Sequence, residues 1–142
     1  MKRYTLQVRA DLPNLETIAE FIISSLAANG IGDRVAYDIR LAVDEVCSNI
    51  MLYGYGESPG AIYLDCTVGD HAVELEIADE GVPFNPLTLP DPDIDADLDH
   101  RKVGGLGIYF VRTIMDGMEY EFRDGRNILT LTKRVNAPPS GD

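Results

Sequence analysis

Positive charge is scarce in this 142-residue sequence. Lysine and arginine together number 12 against 24 aspartates and glutamates, the formal net charge is −12, and residues 41–100 contain neither basic residue. Proteins that bind nucleic acid or anionic membranes neutralise phosphates with clustered lysine and arginine. The composition therefore argues against DNA, RNA and membrane surfaces as partners. A compact anion such as a nucleotide, or a basic protein, is still suitable because local charges and backbone dipoles can meet it.

Cysteines and long apolar runs are also scarce. Cys47 and Cys66 have neither metal-ligand spacing nor a disulfide framework around them, so we expect two reduced, buried thiols. No run of about 18 apolar residues is present, and the first residues alternate like a strand rather than like a signal peptide. These absences predict a cytoplasmic protein. The length suits one domain with a single buried core.

The hydrophobic pattern predicts an α+β domain over residues 1–135, with a flexible tail at 136–142. Five segments alternate like strands, and turn signals pair four of them into two hairpins: 4–10, 61–68, 71–78, 118–123 and 127–134. Three segments have helical spacing, the last with Gly117 as its stop: 15–28, 33–53 and 104–115. Residues 80–103, rich in proline and aspartate, are interpreted as a lid. This order predicts a two-layer sandwich, with helices on one face of a mostly antiparallel sheet.

Two short polar patterns could form a functional site. Glu45 and Asn49 lie four residues apart on the second helix, so they stack one turn from each other. Such a pair suits Mg²⁺ chemistry, with an amide as metal ligand and a carboxylate that positions or deprotonates a hydroxyl; a solvated helix face would show the same spacing. Asp79, at a strand end before Gly81, could accept a hydrogen bond from an amine such as that of adenine, or could bond its own turn.

A glycine-rich run opens the third predicted helix, directly after two basic residues. The run is Gly104, Gly105, Leu106 and Gly107, and the basic residues are Arg101 and Lys102. Free backbone N–H groups, the helix dipole and the adjacent cations together predict a phosphate cradle. A helix start that needs glycine for chain reversal would have the same composition. The run is not a P-loop, because no Gly-Lys-Ser/Thr follows.

These patterns occur in a characteristic order: a helical E-x-x-x-N, a strand-end D-x-G, a lid, and G-G-L-G. In that order the sequence resembles the nucleotide-binding domain shared by gyrase, heat-shock chaperones, histidine kinases and mismatch-repair ATPases. The stretches DEVCSNIMLYGY at 44–55 and DEGVPFNP at 79–86 are most similar to the bacterial anti-sigma-factor serine kinases. The resemblance spans residues 4–134 and implies a histidine-kinase-like ATPase fold with ATP and Mg²⁺ as cofactors.

The resemblance also implies roles for individual residues. Glu45 would be the general base or the residue that positions water, Asn49 the Mg²⁺ ligand, and Asp79 the carboxylate that binds adenine. Gly81 would let the base approach. The phosphates would lie against Gly104, Gly105, Leu106, Gly107 and Lys102, with Arg101 as a catalytic cation near the γ-phosphate.

The sequence departs from the family pattern at two places. Val82-Pro83-Phe84 replaces a second glycine, and Asn127 replaces a threonine that relatives carry near adenine, so Asn127 is expected to take its place. The resemblance implies a homodimeric anti-sigma protein that binds a sigma factor and phosphorylates a serine on an antagonist, the anti-anti-sigma protein. The alternatives are a non-catalytic partner-switching module of the same fold and an α+β domain without nucleotide.

Overall fold

A computed structural model describes residues 1–88 and 105–135. The strands within these ranges are β1 (Lys2–Arg9), β2 (Ala61–Val68), β3 (Ala72–Asp79), β4 (Gly117–Arg123) and β5 (Arg126–Arg134). The α-helices are α1 (Leu15–Ala27), α2 (Asp33–Asn49) and α3 (Gly105–Ile114). Each predicted strand and helix is thus present, with small shifts at its ends. One detail of the prediction was wrong: Gly117 does not end α3 but begins β4, where its backbone lies against the Thr132 side chain.

The five strands form one antiparallel sheet in the order β1-β2-β3-β5-β4. The alternation in β2 shows how the sheet is covered: Ile62, Leu64 and Cys66 are buried in the core, whereas the residues between them are half-buried. The same core contains buried apolar residues from all three α-helices. The helices therefore cover one face of the sheet, which confirms the predicted two-layer α+β sandwich.

The central helix is α2, which packs against both α1 and α3. Its buried stripe follows helical spacing and consists of Ala36, Ile39, Ala42, Val43, Val46 and Cys47. Cys47 and Cys66 are both free and buried, as predicted, and burial raises the pKa of the Cys66 thiol to about 11. A thiol with such a pKa stays protonated and unreactive at neutral pH.

Two features of the fold bring polar residues to one end of the sheet. In the antiparallel pairing of β3 with β5, Asp79 lies directly opposite Asn127. A π-helical segment, Ile50–Gly54, prolongs α2 toward the same end. Segments of this kind occur often at functional sites. The predicted lid is described as far as residue 88, where it contains a 3-10 turn at Pro86–Thr88, and the predicted tail lies outside the described residues.

Candidate nucleotide site

A cavity of about 420 Å³ opens where α2, α3, β5 and the loop after β3 meet. This volume lies within the range of roughly 300–1,000 Å³ that is typical of small-molecule sites. Apolar side chains form most of its wall, among them Val46, Ile50, Ile77, Ile108 and Leu129. The polar side chains in the wall are Asn49, Tyr53, Asp79, Tyr120 and Asn127, which come from separate positions in the sequence. Such a cavity suits a flat apolar ligand with few polar groups.

Asp79, the last residue of β3, is the buried carboxylate of this cavity, with an exposed fraction of 6%. Its Oδ1 atom accepts hydrogen bonds from the Gly81 N–H at 2.9 Å and from Asn127 Nδ2 at 3.0 Å. Within the described part of the chain, no donor reaches Oδ2. Burial raises the pKa of Asp79, and the two hydrogen bonds offset part of that effect. A ligand that donates to Oδ2 would therefore satisfy a buried acceptor.

Asn127 holds the loop that follows β3. Its Nδ2 atom also donates to the Val82 carbonyl at 3.1 Å, and its Oδ1 atom accepts from the Phe84 N–H at 3.0 Å. The Tyr120 hydroxyl is a second donor to Oδ1. The sequence placed Asn127 at the site in place of a threonine, and the structure brings it beside Asp79 with its amide bonded to the protein.

Gly81 is held tightly against the end of the π-helical segment. A Cβ atom at this position would lie 2.3 Å from the Gly54 carbonyl oxygen. The same oxygen accepts a hydrogen bond from the Val82 N–H at 3.0 Å. The structure thus gives Gly81 a packing requirement in addition to the role that the resemblance implies.

Tyr55 holds the loop after β3 through its hydroxyl group, a role that the sequence analysis did not predict. Its hydroxyl donates to the Ala61 carbonyl at 2.5 Å and accepts from the Glu80 N–H at 2.7 Å. Its ring fills the space beside Gly60, where a Cβ atom would lie 2.1 Å from a ring carbon. The hydrophobic periodicity does not identify such a residue, because its partners are backbone groups at the start of β2 and directly after β3.

Glu45, Asn49 and Gly107 meet at the start of α3. A Cβ atom on Gly107 would lie 2.5 Å from Glu45 Oε2 and 3.8 Å from Asn49 Nδ2. Both polar side chains are half-buried and face α3, whereas a solvated helix face would leave them exposed. Asn49 also lines the cavity that contains Asp79. The structure therefore brings Glu45 and Asn49 to Gly107, and Asn49 to the cavity that contains Asp79.

The first turn of α3 contains Gly105, Leu106 and Gly107. The first N–H groups of a helix have no intrahelical acceptor and favour an anion. Arg101, Lys102 and Gly104 lie outside the described residues, so their predicted roles stay predictions. Over residues 1–88 and 105–135, no group of three or more histidine, cysteine, aspartate or glutamate side chains could hold a metal ion. A metal at Asn49 would thus need oxygen ligands from a phosphate and from solvent.

Arg112 is a second residue that the sequence analysis missed. From α3 its guanidinium donates to the carbonyl oxygens of Leu87 at 2.7 Å and Pro86 at 3.3 Å. The first residues of the predicted lid are thereby attached to α3. Because these acceptors are backbone groups about 25 residues away, no local pattern indicates the contact.

A sandwich with a buried carboxylate, a helical Glu-Asn pair and a glycine at a helix start defines a class of ATP-binding domains. The chain matches the family model of the histidine kinase-like ATPase domain over residues 8–133 and belongs to that family. The predicted family resemblance is confirmed. Across the described ranges, no helix combines the length and the apolarity needed to cross a membrane.

Curated relatives include serine kinases. The chain is 30% identical over 128 residues to the serine-protein kinase RsbW of Bacillus mycoides, a match that covers 82% of this chain and 79% of the relative. It is 34% identical over 108 residues to the serine/threonine-protein kinase BtrW of Bordetella bronchiseptica, with 75% of each chain covered.

A solved structure shares the fold. It is the crystal structure of the RsbU and RsbW domains of a Mycobacterium tuberculosis protein, with a TM-score of 0.69 and 19% identity. The match covers 97% of this chain and 34% of the solved chain, so this chain spans about a third of the length of that structure. At this level of identity the likeness supports the architecture of the sheet and helices.

Proposed function

We propose that this protein is an anti-sigma regulator with protein serine kinase activity, which uses Mg²⁺ and ATP to phosphorylate a serine on an antagonist protein. The observation that carries the proposal is the meeting of Glu45 and Asn49 with Gly107 beside the cavity that contains Asp79. The relatives that are named serine-protein kinases support it. The bound partners would be a sigma factor and the anti-anti-sigma antagonist, and the protein would act as a cytoplasmic homodimer.

The cavity residues fit the adenine end of the nucleotide. Asp79 Oδ2 is a buried acceptor without a described donor, and the exocyclic amine of adenine is a donor. The flat apolar walls from Ile50, Ile77 and Ile108 suit a purine ring. Asp79 would thus orient the base, and the apolar walls would bury it.

The residues at the start of α3 fit the phosphate end. Asn49 would hold Mg²⁺ through its carbonyl oxygen, and the first N–H groups of α3 would bind phosphate oxygens. ATP would supply the phosphoryl group, and Mg²⁺ would neutralise part of the phosphate charge. Glu45 would accept the proton of the substrate serine, because its carboxylate lies against Gly107 at this end of the cavity. Arg101, Lys102 and Gly104 would contribute from the lid.

A non-catalytic module of the same fold is the second candidate. The observation in its favour is the way the loop at residues 82–84 is held. The Val82 N–H donates to the Gly54 carbonyl, and the Phe84 N–H donates to Asn127 Oδ1. A glycine in this loop would permit more movement than Pro83 does. Such a module would bind its partner with or without nucleotide and would transfer no phosphate.

Transfer of labelled γ-phosphate to a serine of the antagonist, measured with Glu45→Gln, separates the two candidates. The kinase proposal predicts that ATP binding persists while the transfer rate falls by about 100-fold or more. Glu57→Gln is the matched control, because Glu57 is exposed on a turn. Absence of transfer by the unmodified protein, despite ATP binding, would refute the kinase and favour the binding module.

A further inference from the structure

The Asn127 amide lies in the cavity wall but has no hydrogen-bonding capacity left for a ligand. A side-chain amide has two N–H donors and one carbonyl oxygen with two lone pairs. Both donors are used, on Asp79 Oδ1 at 3.0 Å and on the Val82 carbonyl at 3.1 Å. Both lone pairs are used as well, by the Phe84 N–H at 3.0 Å and by the Tyr120 hydroxyl.

The surrounding groups fix the orientation of this amide. If the amide were rotated by half a turn, its oxygen would face the Asp79 carboxylate and the Val82 carbonyl, and its nitrogen would face the Phe84 N–H. Each of these contacts would place two acceptors or two donors together in a buried site. The network therefore admits one assignment of the nitrogen and the oxygen.

The same amide decides which oxygen of Asp79 is open. Oδ1 already accepts from Gly81 and Asn127, and Oδ2 has no donor among residues 1–88 and 105–135. Asp79 is only 6% exposed and lines the cavity, so a ligand bound there can satisfy Oδ2. At the end of β3 the cavity thus presents one open carboxylate oxygen, and Asn127 presents no donor beside it. The other polar side chains of the wall include Asn49 and Tyr53, which lie on α2 and its π-helical extension. The Tyr120 hydroxyl proton is likewise directed at Asn127.

We infer that Asn127 is a positioning residue that restricts recognition of the base to one point, the donation of the 6-amino group of adenine to Asp79 Oδ2. This inference rests on the proposed binding of ATP. The ring nitrogen N1, which lies beside the amine and is an acceptor, receives no donor from Asn127. Selection for ATP therefore depends on the amine and does not depend on N1.

Calorimetric titration of the full chain with three nucleotides in the presence of Mg²⁺ tests this inference. We expect ATP and 1-deaza-ATP, in which N1 is a carbon, to bind with affinities within about twofold of each other, whereas purine riboside triphosphate, which lacks the amine, binds at least about tenfold more weakly. A loss of about tenfold or more for 1-deaza-ATP would overturn the inference, as would equal binding of all three nucleotides. Failure of all three to bind would overturn the proposed function as well.

A variant separates positioning from a purely structural role. Asn127→Ala removes one donor from Asp79 Oδ1, so the ratio of the affinities for ATP and purine riboside triphosphate should fall by about threefold or more. A general loss of folded protein would weaken both ligands equally and leave this ratio unchanged. Asn29→Ala is the matched control, because Asn29 bonds to Tyr4 and Ser25 and does not line the cavity. An unchanged ratio in Asn127→Ala would overturn the inference.

Discussion

Gly107→Ala should abolish most phosphoryl transfer and leave the fold intact. The added Cβ atom would lie 2.5 Å from Glu45 Oε2, whereas ordinary contact begins near 3.4 Å. The carboxylate must therefore retreat by roughly 0.9 Å. It can do so cheaply, because it is the end of a flexible side chain. Alanine is also a better helix former than glycine by about 1 kcal/mol, so we expect the free energy of unfolding to change by less than about 1 kcal/mol.

The catalytic cost of the same change is much larger. Displacement of a reacting group by about 1 Å can lower a rate by about 100-fold. We therefore expect the rate of phosphate transfer to the antagonist to fall by about 10-fold to 100-fold, with little change in ATP affinity, because the Asp79 end of the cavity is untouched. Gly32→Ala is the matched control, since a Cβ atom there meets nothing within 4 Å.

A double-mutant cycle shows whether the effect passes through Glu45. If it does, the double variant Gly107→Ala/Glu45→Gln should transfer phosphate at nearly the same rate as Glu45→Gln alone, because both changes act on the same carboxylate. Transfer rates from single-turnover experiments give the four corners of the cycle. Additive effects, or a Gly107→Ala rate close to that of the unmodified protein, would refute the reasoning.

Four further predictions concern the loop after β3 and the residues that hold it. Asp79→Asn should lower ATP affinity by about 100-fold in calorimetry, since its new NH₂ group would face the adenine amine; an unchanged affinity would contradict the assignment. Burial raises the pKa of Asp79 in the folded protein. The contribution of Asp79 to the free energy of unfolding should therefore fall as the pH rises from the ordinary aspartate pKa through the raised one. Urea unfolding at several pH values should show that Asp79→Asn removes this fall. Gly81→Ala should destabilise the protein by about 1–3 kcal/mol in urea unfolding, because its Cβ would meet the rigid Gly54 carbonyl at 2.3 Å; Gly32→Ala should not show this loss. Tyr55→Phe leaves the Ala61 carbonyl and the Glu80 N–H without their partner and should cost about 1–3 kcal/mol in thermal unfolding, whereas Tyr37→Phe, with Tyr37 55% exposed, should be neutral.

The secondary structure was predictable because its signals are local. The strands β2 and β3 alternate with period 2 around Gly69-Asp70, and α2 repeats its apolar residues at helical spacing. The pairing of β3 with β5 has no such signal, since α3 and β4 lie between them in the chain. The periodicity therefore does not predict the order of the strands in the sheet.

The sequence predicts only those site residues whose own functional group indicates a role. Glu45, Asn49 and Asp79 have functional groups that suggest a role wherever they lie. Tyr55 and Arg112 act on backbone groups about 25 residues away, and no sequence pattern marks such acceptors. The presence of Asn127 at the site was predictable from the resemblance, but its saturated amide was not, because its Nδ2 bond to Asp79 joins residues 48 positions apart.

A single helical segment, α2 with its π-helical extension, contacts both ends of the proposed nucleotide site. The helix α2 presents Asn49 to the phosphate end, and its π-helical extension ends at Gly54, whose carbonyl binds the loop that contains Gly81 at the adenine end. A change that loosens the contact between Gly54 and Gly81 should therefore affect both ATP affinity and the transfer rate. A Cβ atom on Gly107 would be too close only to Glu45, since Asn49 Nδ2 is at an ordinary contact distance of 3.8 Å, so this change should affect the transfer rate far more than ATP affinity. A substitution at Gly107 on α3 can thus lower the transfer rate while ATP affinity is kept. A change at the end of the α2 extension alters both quantities.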